Sequence, residues 1–156
     1  MEYITNSDTI IFNPDFNFEL EPYMDILSKY KRIIFSDYDL CVDLFDEYLN
    51  NKFTKYSLGS MFNQEVNNLS LSIICLTFGQ NFNQTVQNLP SILRVLTFGY
   101  TFNHDVNSLP SFLKVLTFGL KFSQKVNLFP SFLKVLTLDF YFNQAILIPF
   151  SVRRLK

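Results

Sequence analysis

The sequence from Phe62 to Tyr141 reads FNQEVNNLSLSIICLTFGQN, FNQTVQNLPSILRVLTFGYT, FNHDVNSLPSFLKVLTFGLK and FSQKVNLFPSFLKVLTLDFY. These four segments align without a gap and begin at Phe62, Phe82, Phe102 and Phe122, a constant period of 20. A partial fifth segment, FNQAILIPFSVRRLK, begins at Phe142 and lacks one residue. Self-similarity at a fixed period of this length indicates a solenoid, in which each unit buries its apolar face against its neighbours.

The repeat extends towards the N-terminus in longer, degenerate units. One position serves as a marker because it holds Phe or Leu throughout: Phe12, Phe35, Leu58, Phe78, Phe98, Phe118 and Leu138. Successive markers are spaced by 23, 23, 20, 20, 20 and 20. We therefore predict one solenoid domain over residues 1–156. It comprises degenerate repeats and an N-terminal cap in 1–61, four regular repeats in 62–141, and a partial repeat that acts as a C-terminal cap in 142–156. With polar or charged residues at both ends, we expect the chain to be complete in itself.

Each unit contains a short strand pattern. Leu96 and Phe98 alternate with Val95 and Thr97, which is the period of a β-strand. Stacking equivalent strands about 4.8 Å apart gives a parallel sheet with one column of Leu and Phe inside. The sequence predicts about 7–8 such strands on one side and turns, 3₁₀ pieces or short helices on the other. Helices are expected mainly at the N-terminal end, in EPYMDILSKYK and FDEYLNNKFTK.

Small or polar residues recur at two turn positions. Glycine follows the marker in four units, and Asn13, Ser36 or Asp139 replaces it elsewhere, which predicts a tight turn with positive φ. The asparagines after the next Phe are expected to form a buried ladder, or alternatively a row of ligand-binding amides: Asn63, Asn83, Asn103 and Asn143. The residues that follow them are expected to be exposed: Gln64, Gln84, His104, Gln124 and Gln144.

Charge is divided between the two parts of the chain. Residues 1–65 carry a balance of −7 and residues 66–156 a balance of +6, which together give the net charge of −1. Cys41 and Cys75 are too few for a disulfide framework and are expected to be reduced, as in an intracellular, cytoplasmic setting. We also expect no signal peptide and no membrane span, because no basic start or long apolar run occurs.

The residues for most enzyme chemistry are missing from the sequence. His104 is the only histidine, and Asp105 beside it is poorly placed to orient its ring. No glycine-rich phosphate loop and no Cys/His metal set occurs, so we expect no enzyme activity, no metal and no cofactor. Nucleic-acid binding is a weaker alternative, since Arg94, Lys114 and Lys134 share one repeat position. The same column is also consistent with a solvated sheet edge.

The pattern Phe-Asn-Gln…Val…Leu-Pro…Leu…Leu-Thr-Phe-Gly, as from Phe82 to Gly99, resembles the FNIP repeat. That family is similar to leucine-rich repeats and is found in social amoebae and in giant viruses that infect amoebae. The resemblance implies a leucine-rich-repeat-like solenoid without known enzyme activity. Some viral members carry an F-box ahead of the repeats, which implies a ubiquitin-ligase adaptor, but no F-box pattern is found here.

A protein-interaction module is the first functional expectation, with the outer face of the sheet as the binding surface for an unknown protein partner. The residues expected on this face are Arg94, Val95, Thr97, Tyr100, Lys114, Val115, Thr117, Leu120, Lys134, Val135, Thr137 and Phe140. One alternative is a structural protein of a virus particle or oligomer, which self-associates through its acidic and basic ends. Another is a ubiquitin-ligase adaptor without a recognisable F-box.

Overall fold

The computed structural model describes residues 2–35 and 60–156. Its strands are β1 (Tyr3–Asn6), β2 (Thr9–Phe12), β3 (Arg32–Phe35), β4 (Cys75–Phe78), β5 (Val95–Thr97), β6 (Val115–Thr117), β7 (Val135–Thr137) and β8 (Arg154–Leu155). Opposite the sheet, the first coil contains a 3₁₀ turn (Glu21–Tyr23) that leads into the short helix α1 (Met24–Leu27). The helix predicted around Pro22 is therefore present, whereas the one predicted in FDEYLNNKFTK lies outside the described residues.

The strands form one sheet in chain order, from β1 to β8. Strands β2 to β8 are parallel, and equivalent residues of successive units pair directly, such as Leu96 with Leu116. Strand β1 is antiparallel to β2 and joins it through Ser7, which has a φ of 43°. The fold is thus a leucine-rich-repeat-like solenoid of about six turns, which confirms the predicted architecture.

Stacked phenylalanines fill the core. The ring centroid of Phe98 lies 5.7 Å from that of Phe78 and 5.6 Å from that of Phe118 in the adjacent coils. Within its own coil, Phe98 stacks on Phe102 at 3.7 Å. Leu96 lies beside them and is fully buried. Each coil therefore contributes matching apolar side chains to one continuous column, as the spacing predicted, and this burial is the main source of stability.

Strands β3 and β4 are direct neighbours in the sheet, although the sequence predicted one more strand between them. Phe35 pairs directly with Phe78 in the sheet. In the core, Phe35 stacks on Phe62 with 3.8 Å between ring centroids, just as Phe78 stacks on Phe82 at 3.7 Å. Phe35 and Phe62 thus belong to the same coil, so the register that made Leu58 a marker is wrong. Leu58 itself lies outside the described residues.

The glycines serve a different purpose from the one predicted. Among the described residues, no glycine has a positive φ. Instead, a Cβ added to Gly99 would overlap the carbonyl oxygen of Gly79, and one added to Gly119 would overlap that of Gly99. Glycine is needed because successive backbones approach each other too closely for a side chain.

The first coil is fixed by aromatic packing. Tyr23 contacts Phe12 and Phe16 edge to face, with centroids 5.9 and 5.2 Å apart. The Tyr23 hydroxyl donates a hydrogen bond to the carboxylate of Glu2, just ahead of β1. This hydrogen bond raises the pKa of Tyr23 above its usual value, because ionisation of the phenol would remove the donor. This hydrogen bond connects the 3₁₀ turn to the residue that precedes the edge strand β1.

Candidate functional site

An asparagine ladder runs along the turns of the solenoid. The Oδ1 atom of each asparagine accepts the backbone N–H of the equivalent residue in the next coil, at 2.8–2.9 Å. The rungs are Asn17, Asn63, Asn83, Asn103 and Ser123. The ladder was predicted, but its side chains are partly or largely exposed rather than buried. Because these oxygens already bond to the backbone, the ladder is a structural device, and the alternative of ligand-binding amides is not favoured.

The glutamines beside this ladder are less exposed than expected. Gln84 Nε2 donates to the carbonyl oxygen of Asn63 at 3.0 Å, and Gln124 does the same to Asn103. His104 replaces glutamine in the coil between them, and its Nε2 lies 2.9 Å from the Asn83 carbonyl oxygen. The His104 ring therefore contacts the same backbone carbonyl position that glutamine contacts in the neighbouring coils. The described residues contain no group of three or more potential metal ligands.

The middle of the sheet's outer face is buried, contrary to expectation. Cys75, Val95 and Val115 form a second apolar cluster away from the main core, and each is no more than 4% exposed. They are direct partners in adjacent strands and cover one another. Thr97 is also only 4% exposed. Val95, Thr97 and Val115 thus offer almost no area to a partner.

The C-terminal part of that face is more open. Thr117, Val135 and Thr137 are partly exposed.

Cys75 was expected to be a reduced thiol but is disulfide-bonded. Cys41, the other cysteine of the sequence, lies outside the described residues.

A column of cations borders the N-terminal ends of the strands. Backbone hydrogen bonds of 2.8–2.9 Å link equivalent residues of consecutive coils, from Lys114 N–H to the Arg94 carbonyl, from Lys134 to Lys114, and from Arg153 to Lys134. We call Arg94, Lys114, Lys134 and Arg153 the cation ladder. The ion pair between Arg32 and Asp8, in the described part of the chain, involves no member of this ladder. The sequence predicted the first three members but missed Arg153, because the last unit is one residue shorter.

At the opposite ends of the strands, Tyr100, Leu120 and Phe140 occupy equivalent positions. Tyr100 and Leu120 are partly exposed, and Phe140 is 94% exposed. The ammonium of Lys121 lies 5.5 Å from the centroid of the Tyr100 ring, a cation–π contact. These three residues therefore lie on the surface as predicted, and we call them the exit column.

A third column was not anticipated from the sequence. Ile92, Phe112 and Phe132 are 43–53% exposed, and the rings of Phe112 and Phe132 stack with centroids 5.7 Å apart. We call these three residues the apolar ladder. Each lies two residues before a member of the cation ladder, with a buried leucine between them. The signal in the sequence is an apolar residue directly before that leucine in three successive units, but the pattern does not show which of the two is exposed.

Comparisons with known proteins agree with this geometry. The family model of the FNIP repeat matches residues 85–121. The chain is similar to the crystal structure of CroV588, a circular leucine-rich-repeat protein from a giant virus, with 29% sequence identity and a TM-score of 0.70. That match covers 99% of this chain and 25% of the other, so this chain spans a quarter of that protein's length.

A comparison with curated proteins gave no match. In the parts of the chain that the structure describes, no helix has the length and apolar character needed to cross a bilayer. The family match and the structural similarity coincide on the repeat that builds the stacked coils and the asparagine ladder. Residues 85–121 are therefore similar to the FNIP repeat, and the fold of the chain is leucine-rich-repeat-like.

Proposed function

We propose that this chain is a protein-interaction module that binds a protein partner along the outer side of its sheet. Its repeat fold is of a kind that serves in general for protein interaction and is typical of non-enzymatic scaffolds. The observation that supports this proposal is the cation ladder, which repeats one charge over four consecutive coils. Such a regular row of like charges favours a partner with a complementary acidic rim.

Val95, Thr97 and Val115 are buried, so the area of the sheet's outer face that a partner could contact lies mainly at its two margins. The cation ladder forms one margin and the exit column forms the other. Tyrosine and arginine are enriched where proteins bind one another, and an exposed aromatic such as Phe140 supplies apolar area. The proposed partner contacts these two margins. It also contacts the partly exposed residues at the C-terminal part of the face, Thr117, Val135 and Thr137.

The test begins with affinity purification and mass spectrometry from cells that express the protein, followed by binding measurements on a purified partner. Alanine at Tyr100, Leu120 and Phe140 together is expected to abolish binding. Lys134→Glu is expected to weaken it, whereas Lys125→Glu, which changes the net charge equally but lies outside the ladder, is expected to have no effect. Undiminished binding by both margin variants would contradict the proposal.

Self-association is a second candidate, supported by the contrast between the two ends. At the C-terminal end, Leu147 and Phe150 are at least 84% exposed, and Arg153 and Lys156 add positive charge. The first coil is acidic, with Glu19 among its exposed residues. Head-to-tail contact would bury the apolar side chains and pair the opposite charges. Light scattering is expected to show oligomers at low salt that dissociate at high salt, and a monomer under both conditions would rule this candidate out.

A further inference from the structure

The apolar ladder and the cation ladder run side by side along the solenoid axis. Ile92, Phe112 and Phe132 present apolar surface, and the cations of the same coils lie two residues further along the chain. Each coil therefore carries one exposed apolar residue and one cation two positions apart, with a buried leucine between them. The pair recurs over three successive coils, so the surface is a strip with one apolar edge and one basic edge.

The spacing of the two stacked phenylalanines is close to the rise of one α-helical turn. The ring centroids of Phe112 and Phe132 are 5.7 Å apart, and an α-helix rises about 5.4 Å per turn. Side chains on one face of an extended strand instead recur about every 6.6–6.8 Å, which would fall out of step with the coils within two or three repeats. A helix lying along the solenoid axis can place one side chain per turn against each coil.

Ring geometry favours a polypeptide over a nucleic acid. Phe112 and Phe132 stack face to face at an interplanar angle of 15°, so they occupy each other's faces and leave little room for bases to stack between them. Apolar ring edges beside a row of cations fit a segment that is itself apolar on one side and acidic on the next.

We propose that this strip binds an acidic amphipathic α-helix of a partner protein. The apolar residues of the helix, at positions i, i+3 or i+4, and i+7, pack against Ile92, Phe112 and Phe132. Carboxylates on the adjacent flank of the helix face Arg94, Lys114 and Lys134. Three coils span about 10 Å and the fourth cation, Arg153, adds about 5 Å, so the bound segment is about ten residues long. This inference rests on the proposed function and specifies the class of partner.

The repeat itself supplies variants that preserve the fold. Serine occupies the place of the apolar ladder in the coils on either side, at Ser72 and Ser151, so Phe112→Ser with Phe132→Ser is expected to fold. The matched control is Leu128→Ser, because Leu128 is 72% exposed outside the strip and Ser108 occupies its position in the preceding coil. For charge, Lys134→Glu is compared with Lys125→Glu.

The probe is a synthetic peptide of about four helical turns with leucines on one helical face and glutamates on the flank, labelled for fluorescence anisotropy. A peptide of the same composition in scrambled order and a single-stranded oligonucleotide serve as comparisons. The amphipathic peptide is expected to bind, with affinity that falls as salt rises. The Phe112→Ser/Phe132→Ser protein is expected to bind about tenfold more weakly or worse, a loss of about 1.4 kcal/mol. Leu128→Ser is expected to bind as the unaltered protein does.

Equal binding of the scrambled peptide, equal binding by the strip variants, or no binding of the amphipathic peptide would overturn the inference. Oligonucleotide binding that depends on the same residues would replace the helix with a nucleic acid. The proposed function is tested separately. If a purified partner is lost on alanine substitution of the exit column but not on serine substitution of the apolar ladder, the interaction module stands and the helix site fails.

Discussion

The rings of Phe35 and Phe62 stack with their centroids 3.8 Å apart, although the whole of segment 36–61 separates them in the sequence. In the next coil, Phe78 and Phe82 form the same pair at 3.7 Å with only Gly79, Gln80 and Asn81 between them. The core is therefore continuous across an interval of sequence that is much longer here than in the other coils.

Deletion of residues 36–58 is the most direct test of this relationship. It leaves Phe35-Gly59-Ser60-Met61-Phe62, the same spacing as Phe78 to Phe82. We expect the shortened chain to fold and unfold cooperatively. Its free energy of unfolding is expected to be higher by up to about 2 kcal/mol, because bringing Phe35 and Phe62 together costs less entropy when fewer residues separate them. Circular dichroism during denaturant unfolding measures it. Both proteins are compared under reducing conditions, since the deletion removes Cys41, and loss of the cooperative transition would contradict the continuous core.

Substitution of Phe98 tests the stacked column. Phe98 is 2% exposed and contacts rings above, below and within its own coil. Phe98→Ala is expected to lower the free energy of unfolding by about 3–5 kcal/mol, because it removes apolar contacts and leaves a cavity. Phe98→Leu is expected to cost less, since Leu138 holds the equivalent place next to β7. Equal losses in the two variants would show that the site is not closely packed.

Changes to the asparagine ladder should act in opposite directions at two neighbouring rungs. Asn103 Oδ1 accepts the backbone N–H of Ser123 at 2.9 Å. Asn103→Ala is expected to cost about 1 kcal/mol, because that N–H loses its protein acceptor. Asn103→Asp retains the oxygen and is expected to cost less.

At the next rung, Ser123→Asn provides an acceptor long enough to reach the N–H of Asn143. It is expected to stabilise the fold by up to about 1 kcal/mol. Thermal and denaturant unfolding of the variants measure all these effects. A ladder that does not contribute to stability would leave the unfolding midpoints unchanged.

Alanine at Gly99 is expected to be poorly tolerated for a steric reason. Its Cβ would overlap the carbonyl oxygen of Gly79 in the preceding coil, and backbone cannot rotate away as a side chain does. Gly99→Ala is therefore expected to lower the free energy of unfolding by at least about 2 kcal/mol. Ser91→Ala, at an exposed position of the same coil, is expected to change it by no more than about 0.5 kcal/mol. Similar stability of the two variants would refute the proposed close approach.

Periodicity was sufficient to predict the fold because each regular coil repeats the same side chains at the same depth. Leu96 and Phe98 could be assigned to the core from alternation alone. The register failed at Leu58, where the sequence offered a plausible Leu-Gly pair but the pairing of Phe35 with Phe78 is a long-range fact. Local pattern cannot reveal which of two similar segments a strand will pair with.

The surface was harder to predict than the core. Alternation correctly directed Val95 away from the main core, but it could not show that Cys75 and Val115 would cover it. Arg94 and Lys114 could be placed in one column because they are one period of 20 apart, and on the surface because long charged side chains remain in solvent. Phe112 and Phe132 were missed because a phenylalanine beside a leucine is usually read as core, and only coordinates show that about half of each side chain is in water.

The backbone N–H of Asn103 donates to Asn83 Oδ1, and the N–H of Ser123 donates to Asn103 Oδ1, so the same atoms link each pair of successive coils. Gly99 and Gly119 allow the backbones of these coils to approach at one fixed separation. Each interior coil therefore presents the same hydrogen-bonding groups to the next coil as the preceding coil presents to it. A tandem duplication of the codons for one whole unit within this region would add one coil without requiring any compensating substitution. The length of such a protein, and with it the length of the strip it displays, can consequently change in whole steps by unequal recombination alone.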